Sequence, residues 1–296
     1  PQPWKAPDSL FWGKIMATRL SGNWRDEILR ARLSTRLTPQ QMIDMWPGAK
    51  VNRDAISGDY RNLSLAEIAA AGWPDAPPKG ASNSWVFAGT RTATGKPILA
   101  NDPHLGFSAP ILWYLARLEA PGLSVTGATV PGVPVTVLGH NRRIAWGITS
   151  TQSDLQDLFI ETVDPTDGGN YLTPEGPRPF RVRTETIGVK DGEDVTGTIR
   201  ETRHGPVISD LSTKAAAMVG PGKVVALAAT YLRDDDLTPQ AIYRINRATG
   251  WPAFRAALDE FHAPQQNFVY ADADGNIGFM AAGRVPVRKS GIGWLP

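Results

Sequence analysis

Hydrophobic positions recur at helical spacing through the first 46 residues. The segments "PDSLFWGKIMATRLS" and "NWRDEILRARLSTRL" each carry apolar residues every three or four positions, which predicts two helices. Asp8 or Ser9 is a suitable N-cap for the first helix, and Asn23 for the second. "TPQQMIDMW" predicts a short third helix that opens at Thr38 and Pro39. The chain is therefore expected to begin with a helical region.

The pattern changes twice after this region. Residues 47–81 lose their periodicity and contain Gly and Pro clusters with one short helical piece, "SLAEIAAAG", so they predict a linker. From Ser82 onward, β-type segments dominate, among them "SNSWVFAG", "KPILA", "HNRRIAWGITS" and "LQDLFIETV". Two helices, "TPQAIYRINRA" and "WPAFRAALDEFH", precede a hairpin whose turn is "DADGN". The predicted fold class is α/β in the broad sense. It is of the α+β type, because a helical region is followed by a region rich in strands.

Composition excludes several classes of function. The 296 residues are 42% hydrophobic and 20% charged, and the net charge of +2 comes without a basic block, which argues against a nucleic-acid partner. The chain has no cysteine, which removes disulfides, thiolate catalysis and cysteine zinc sites. No apolar run approaches the roughly 18 residues of a membrane span.

Common catalytic motifs are missing from the sequence. The four histidines, His104, His140, His204 and His262, follow no zinc-binding spacing. Considered separately, each is expected to be a hydrogen-bonded structural residue. Ser82 does not lie in a G-x-S-x-G elbow. Neither GxGxxG nor a P-loop occurs, so no organic cofactor is expected. "DADGN" lacks the spacing of a calcium loop and predicts a plain turn.

The segment "SDLQDLF" places Asp154 and Asp157 three residues apart, directly after a predicted strand. Two carboxylates with a backbone carbonyl between them can hold a hard cation such as calcium. A solvated turn explains the same residues equally well.

Ser82 lies where a flexible segment, "PPKGA", runs into a strand, "SNSWVFAG". If the chain were cut between Ala81 and Ser82, Ser82 would carry a free α-amine with a pKa of roughly 7.7–8.0. That amine can accept the proton of the serine hydroxyl, so nucleophile and base would belong to one residue. An ordinary loop-to-strand junction is the alternative explanation.

Longer motifs point to a family. "GASNSWVFAGTRTATGKPILANDPHLGFSAPILWYLARL", "VTGATVPGVPVTVLGHNRRIAWGITSTQSDLQDLF" and "NFVYADADGNIGFMAAGRVPVR" resemble the catalytic β chain of penicillin acylases. "PDSLFWGKIMATRLSGNWRDEILRARL" is similar to the later part of their α chain. The family also includes cephalosporin acylases and acyl-homoserine-lactone acylases. The likeness spans nearly the whole sequence.

The resemblance implies an N-terminal-nucleophile (Ntn) hydrolase with an αββα sandwich, here in part and preceded by α-chain helices. Residues 1–46 would close the α chain, residues 47–81 would be the spacer, and residues 82–296 would begin the β chain. Self-cleavage at Ala81–Ser82 would leave the α and β chains as a heterodimer. On this basis the sequence is expected to be an internal fragment of the precursor.

Family positions assign catalytic roles. Ser82 would be the nucleophile and Asn83 the second residue of the Ser-Asn start. His104, in "NDPHLGF", would orient the nucleophile and its amine or assist self-cleavage. Ser150, in "WGITS", falls where a backbone N–H supplies one oxyanion donor. The second donor is an asparagine that the family places downstream of "GRVPVR", beyond Pro296; Asn267 matches an earlier structural asparagine.

The resemblance also implies two binding sites. One structural calcium ion would join the two chains. Its ligands would be Glu27, Asp154, Gln156 through its carbonyl, and Asp157. Glu27 is the best match for the α-chain ligand, and Asp26 is one position away from it. A mostly apolar acyl pocket would combine Met16, Arg19 and Leu20 from the α chain with Leu105, Val137, Leu138, Ile148 and Gln266 from the β chain. For each pocket residue, plain core packing is an equal alternative.

The predicted activity is hydrolysis of a linear amide between an acyl group and an amine, of the penicillin acylase type, on a small-molecule substrate. The alternatives are an acyl-homoserine-lactone acylase of the same family and a non-catalytic secreted binding module, which the ten tryptophans support mildly. Family resemblance implies a periplasmic or secreted enzyme.

Overall fold

The computed structural model describes residues 3–46, 81–106, 109, 111–289, 293 and 295–296. Most of the predicted linker, residues 47–80, and its helical piece lie outside the described residues. Contacts divide the chain into two units: the first comprises residues 1–21, 76–155 and 230–285, and the second comprises residues 22–75, 156–229 and 286–296. The predicted segments 1–46, 47–81 and 82–296 describe where the precursor would be cut. The division into two units does not test them.

The three predicted N-terminal helices are present: α1 (Ala6–Leu20), α2 (Trp24–Ser34) and α3 (Pro39–Met45). Asn23 and Thr38 are the N-caps of α2 and α3, as predicted, and the Thr38 hydroxyl accepts a bond from the N–H of Gln41. The predicted cap of α1 is wrong: α1 begins earlier, after Lys5, and the Asp8 carboxylate accepts from the Lys5 N–H at 2.7 Å. Pro7 shifts the start, because proline suits a first helical turn.

In the first unit, an antiparallel sheet of six strands has the order β15-β14-β6-β5-β4-β3. Its strands are β3 (Tyr114–Ala120), β4 (Leu123–Thr129), β5 (Leu138–Asn141), β6 (Ile144–Ser150), β14 (Gln266–Asp272) and β15 (Ile277–Ala282). A separate hairpin pairs β1 (Ser82–Phe87) with β2 (Ile98–Pro103). The strand predictions for this region are confirmed.

The core of the first unit forms where two helices, α5 (Thr238–Ile245) and α6 (Trp251–Leu258), pack on the six-stranded sheet. Trp146 of β6 and Tyr270 of β14 are almost fully buried there, with Phe254 of α6 between aromatic neighbours. Alternating positions of β4, β6 and β14 supply many of the side chains of this core.

The second unit contains shorter sheets. They are formed by β7 (Gln156–Thr162) with β13 (Lys223–Ala229), β8 (Asn170–Thr173) with β9 (Gly176–Pro179), and β10 (Arg181–Ile187) with β11 (Val195–Thr202) and β12 (Gly205–Pro206). Helix α2 and the short helix α4 (Thr213–Ala216) pack on β7 and β13. Ile28, Leu158 and Val225 are buried at this contact.

The segment "DADGN" is the plain turn that the sequence predicts. Asp272 closes the β14–β15 hairpin, and its Oδ1 accepts from the N–H groups of Asp274 and Asn276 at 3.0 and 2.9 Å. The carboxylate oxygens are thus used within the turn. Within the described part of the chain, none of the helices has the length and apolar character needed to cross a bilayer.

One partly buried ion pair anchors α1 within the first unit. The Nζ of Lys14 lies 2.7 Å from a carboxylate oxygen of Asp236 and donates to the carbonyls of Tyr231 and Arg233 at 2.6 and 3.3 Å. Burial alone would raise the pKa of Asp236, but hydrogen bonds from Lys14 and Thr238 outweigh burial and hold this pKa below its usual value of 3.8. The helix that carries Met16, Arg19 and Leu20 is fixed by this contact.

We predict that Asp236→Asn lowers the free energy of unfolding by about 1–3 kcal/mol at neutral pH, because the charge-assisted bonds are lost. The pKa of Asp236 is lower in the folded than in the unfolded chain. Its contribution is therefore present above about pH 4 and disappears as the pH falls through the folded-state pKa. Denaturant unfolding of both forms from pH 7 to pH 3 measures this difference.

Asp235→Asn is the matched control. Asp235 pairs with Arg284 and Arg233 at the surface, where solvent screens the charges, so its replacement should change stability much less. Equal effects of the two substitutions at neutral pH, or a constant Asp236→Asn effect down to pH 3, would contradict the prediction.

Candidate active site

Ser82 is the first residue of β1, and the hairpin register sets it opposite Pro103. The side chain is half-buried, whereas Asn83 next to it is exposed, as alternation along a strand requires. Antiparallel pairing continues to the pair Phe87 and Ile98, so the hairpin is regular along its whole length. A serine at the start of a paired strand has a fixed backbone, which suits a nucleophile.

The carbonyl of Ala81 accepts a hydrogen bond from the backbone N–H of His104 at 2.7 Å. This carbonyl belongs to the peptide bond that the sequence analysis predicts to be cleaved. The imidazole of His104 points elsewhere: its Nε2 lies 2.7 Å from Oδ2 of Asp102, and both side chains are exposed. The structure therefore brings His104 to the predicted cleavage site through its backbone, a contribution that residue type does not reveal.

Asn101 connects the hairpin to the six-stranded sheet. Its Nδ2 donates to the carbonyls of Asn83 and Ile148 at 2.9 and 3.0 Å, and its Oδ1 accepts from the N–H of Ile148 at 2.8 Å. No sequence pattern or motif singled out this residue. The predicted strand "KPILA" ends directly before Asn101, whereas the observed strand β2 continues through it. Asparagine is depleted in strands, so its place in β2 calls for a specific contact.

Ser150 ends β6, and the β6–β14 register sets it opposite Gln266. Gln266 is 3% exposed, and its Nε2 donates to none of the described residues. A buried amide donor beside the predicted oxyanion position is the kind of group that a substrate carbonyl can satisfy. Asn267 donates to the hydroxyl of Thr149 at 3.3 Å, in keeping with the structural role predicted for it.

The predicted pocket residues occupy different parts of the first unit. On α1, Met16 is buried, Leu20 is half-buried and Arg19 is exposed. Leu138 begins β5 and Val137 directly precedes it, and the Val137 carbonyl accepts from the indole N–H of Trp146. The remaining two also lie in this unit: Leu105 is half-buried after β2, and the Ile148 side chain packs on the aromatic core. Core packing thus accounts for Ile148 in the described residues.

Two of the predicted calcium ligands hold α2 against β7 within the second unit. Glu27 is fully buried, and its Oε2 accepts from the N–H of Leu158 at 3.0 Å. The side-chain oxygen of Gln156 accepts from the N–H of Trp24 at 3.2 Å. A buried carboxylate beside the Gln156–Leu158 backbone offers the hard oxygen atoms that calcium prefers, so the donor chemistry fits the ion.

The Asp157 carboxylate is bound to a side-chain cation. Nε of Arg288 donates to its two oxygens at 2.9 and 3.1 Å. Asp154, the fourth predicted ligand, is half-buried and belongs to the first unit. Over residues with a described placement, no cluster of three or more acidic or histidine side chains could hold a metal ion. Any cation at Asp157 therefore has to compete with Arg288.

The fold and these motifs define a family. A sequence model described as "Penicillin amidase" matches residues 1–296, and the chain belongs to this family. It is 33% identical over its whole length to an acyl-homoserine lactone acylase, QuiP, from Pseudomonas fluorescens, of which it covers 37%. It is 34% identical over 73% of its length to the penicillin acylase 2 proenzyme of Pseudomonas sp., of which it covers 27%. The chain thus spans about a third of the length of these relatives.

A solved structure supports the predicted fold class. The thermostable penicillin G acylase from Alcaligenes faecalis superposes with a TM-score of 0.59 and 27% sequence identity over 68% of this chain and 35% of that protein. The predicted resemblance and the mixed helix-and-sheet fold of an Ntn hydrolase are therefore confirmed.

Proposed function

We propose that the protein is the precursor of an amidohydrolase that uses Ser82 as its nucleophile after self-cleavage at Ala81–Ser82. The observation that carries this proposal is the hydrogen bond from the His104 N–H to the Ala81 carbonyl at the start of β1. Membership of the penicillin amidase family supports amide hydrolysis, and one relative is described as a proenzyme.

Self-cleavage would begin with attack of the Ser82 hydroxyl oxygen on the carbonyl carbon of Ala81. The peptide C–N bond breaks, the hydroxyl proton ends on the released nitrogen, and an ester joins Ala81 to the serine oxygen. Water then hydrolyses the ester and leaves a carboxylate on Ala81 and a free amine on Ser82. The His104 N–H already binds the oxygen that becomes negative, and such a donor contributes about 10²–10³ in rate.

Hydrolysis of the substrate would repeat this chemistry on an acyl amide. The free amine of Ser82 accepts the hydroxyl proton, because its pKa of roughly 7.7–8.0 leaves part of it unprotonated at neutral pH. The hydroxyl oxygen attacks the acyl carbon, and the backbone N–H of Ser150 stabilises the oxyanion. The Ser82 ammonium then gives this proton to the nitrogen of the substrate, the amide C–N bond breaks, and the substrate amine leaves. Water finally releases the acid from the acyl-serine.

The substrate class follows from the surroundings of Ser150. The buried Nε2 of Gln266 offers a donor to a carbonyl, and the predicted pocket residues are mostly apolar, which suits an apolar acyl chain. Acyl-homoserine lactones are the second candidate substrate class. The observation in their favour is that the QuiP acylase from Pseudomonas fluorescens matches the whole chain, whereas the penicillin acylase 2 proenzyme matches 73% of it.

A non-catalytic binding module is the alternative from another class, and it has no reason to be cleaved before Ser82. Association of the α and β chains as a heterodimer and a periplasmic or secreted location stay predictions of the family resemblance.

A structural calcium ion is also proposed, held by Glu27, Asp157 and the Gln156 carbonyl of the second unit; a contribution from Asp154 stays a prediction of the family resemblance. The fully buried Glu27 carboxylate beside the Gln156–Leu158 backbone supports it. The ion would supply only positive charge that holds these oxygens together, and Arg288 would have to release Asp157 for it to bind.

Ser82→Ala in the complete protein should leave one uncut chain, because the attacking hydroxyl is gone. The wild-type protein should yield a β chain whose N-terminal sequence is "SNSWVF". Intact mass and N-terminal sequencing measure both outcomes, and Ser84→Ala, two residues along the same strand, is the control. The mature protein, assayed on phenylacetyl amides and acyl-homoserine lactones, then identifies the substrate. A β chain that starts elsewhere would contradict the proposal.

His104→Pro should slow self-cleavage by about 10²–10³-fold, because proline has no N–H to donate to the Ala81 carbonyl. His104→Ala keeps this N–H and separates its contribution from that of the imidazole. A time course of precursor cleavage after refolding measures both rates, and circular dichroism checks that both variants fold. Similar rates for His104→Pro and wild type would refute the role of the N–H.

Calcium should be present in the purified complete protein at about one ion per molecule, and a chelator should lower its melting temperature. Asp157→Asn should remove the chelator response. Arg288→Gln, which frees the Asp157 carboxylate, should strengthen calcium binding measured by isothermal titration. Elemental analysis that finds no calcium, together with an unchanged melting temperature in chelator, would exclude the ion.

A further inference from the structure

We infer that Asn101 is a positioning residue for the reaction of Ser82, because its side-chain amide holds the strand that starts at Ser82 to the strand that ends at Ser150. The inference rests on the proposed function, since it concerns the alignment of that nucleophile with its oxyanion donor.

Among the described residues, one edge of β6 is left without a partner strand beyond Trp146. On one side, β6 pairs with β14 along its whole length. On the other side, β6 pairs with β5 through Ala145 and Trp146. The N–H and C=O of Ile148, further along the strand, both bond to the Asn101 amide at 2.8 and 3.0 Å. A primary amide presents an acceptor and a donor as a peptide group does, so Asn101 takes the place of a neighbouring strand.

The same amide has a second N–H to donate. Nδ2 carries two hydrogens, and it also donates to the carbonyl of Asn83 at 2.9 Å. Asn83 directly follows Ser82, and Ile148 lies two residues before Ser150. One planar group, fixed by three hydrogen bonds, therefore connects the backbone beside the nucleophile with the backbone that leads to the proposed oxyanion donor.

Close packing between Gly147 and Asn101 supports the same role independently of hydrogen bonding. Gly147 lies directly against the Asn101 side chain: a Cβ at Gly147 would come within 2.9 Å of the Asn101 Cβ and 3.0 Å of its Oδ1. Only a residue without a side chain lets the amide approach β6 this closely. The sequence thus provides both the amide and the space that it needs.

Loss of this connection should affect rate more than binding. A displacement of about 1 Å between reacting groups costs about 10²-fold in rate. The Asn101 amide has no remaining donor to offer a substrate, since both are used within the protein. A positioning role therefore predicts a fall in kcat with little change in KM.

The test uses the complete protein with Asn101→Ala and Asn101→Asp, and kcat is expressed per mature β-chain N-terminus. Both variants should lose at least about tenfold in kcat on the best acyl amide, with KM within about threefold of the wild-type value. Asn101→Asp keeps an acceptor for the Ile148 N–H but loses both donor bonds, so it tests the link to Asn83. Slower cleavage before Ser82 is expected in both.

Asn141→Ala is the matched control. Asn141 also uses its amide on backbone groups, donating to the carbonyls of Ala248 and Asn246 at 2.8 and 3.2 Å and accepting from two N–H groups of the β5–β6 turn. It lies at the opposite end of β6 from Ser150. Its replacement should lower the melting temperature yet leave kcat within about twofold of wild type.

Hydrogen exchange tests the contact without any activity. In a Ser82→Ala background, Asn101→Ala should speed exchange of the Ile148 amide at least about tenfold, whereas Asn141→Ala should not. If exchange of the Ile148 amide is unchanged, the positioning role of Asn101 is wrong, while the proposed function still stands. The same conclusion follows if the wild type is active and Asn101→Ala has an unchanged kcat. A wild-type protein that is neither cleaved nor active on any acyl amide removes the proposed function, and the positioning role falls with it.

Discussion

Backbone hydrogen bonding at the open end of β6 is the constraint on which the candidate active site depends. Beyond Trp146 the pairing with β5 stops, and the polar groups of Ile148 need partners, since unpaired backbone groups are costly away from water. The Asn101 amide supplies them and brings the β1–β2 hairpin with it. The position of Ser82 thus follows from the way in which the Asn101 amide provides hydrogen-bond partners for the backbone of Ile148.

This arrangement explains why the site combines a regular hairpin with a large sheet. Strand β14 holds β6 from the other side and is itself held by the aromatic core around Phe254 and Tyr270. The chain of contacts runs from helices α5 and α6 through the sheet to Asn101 and then to Asn83. A nucleophile supported in this way keeps its backbone position when the peptide bond before it is broken, because none of these contacts involves residues ahead of Ala81.

The sequence predicted the elements and the residue types of the site but not how they are joined. Helix and strand periodicity located α1, β6 and β14 because the covered face of each element repeats locally. The family motifs predict roles for Ser82 and Ser150, because the positions of a motif are read directly from the chain. The Asn101 bonds were missed because they join Asn101 to Ile148, 47 positions further along the chain, which no local pattern encodes. The His104 N–H was missed because it is a backbone group, and residue type does not reveal its contact with the Ala81 carbonyl. The N-cap of α1 was missed for a smaller reason, since Pro7 moved the helix start into the preceding turn.

The two acidic predictions show why residue type alone does not decide chemistry. "DADGN" and "SDLQDLF" both contain two aspartates. The Asp272 carboxylate accepts hydrogen bonds from N–H groups of its own turn, whereas the Asp157 carboxylate binds the guanidinium of Arg288. Turn N–H groups are fixed by the hairpin and cannot leave, so Asp272 is committed to its structural role. A guanidinium on a separate segment can be exchanged for another cation without unfolding the strand that carries the carboxylate. Competition between Arg288 and a metal ion for Asp157 is therefore chemically open in a way that it is not for Asp272, and the difference comes from which backbone each partner belongs to.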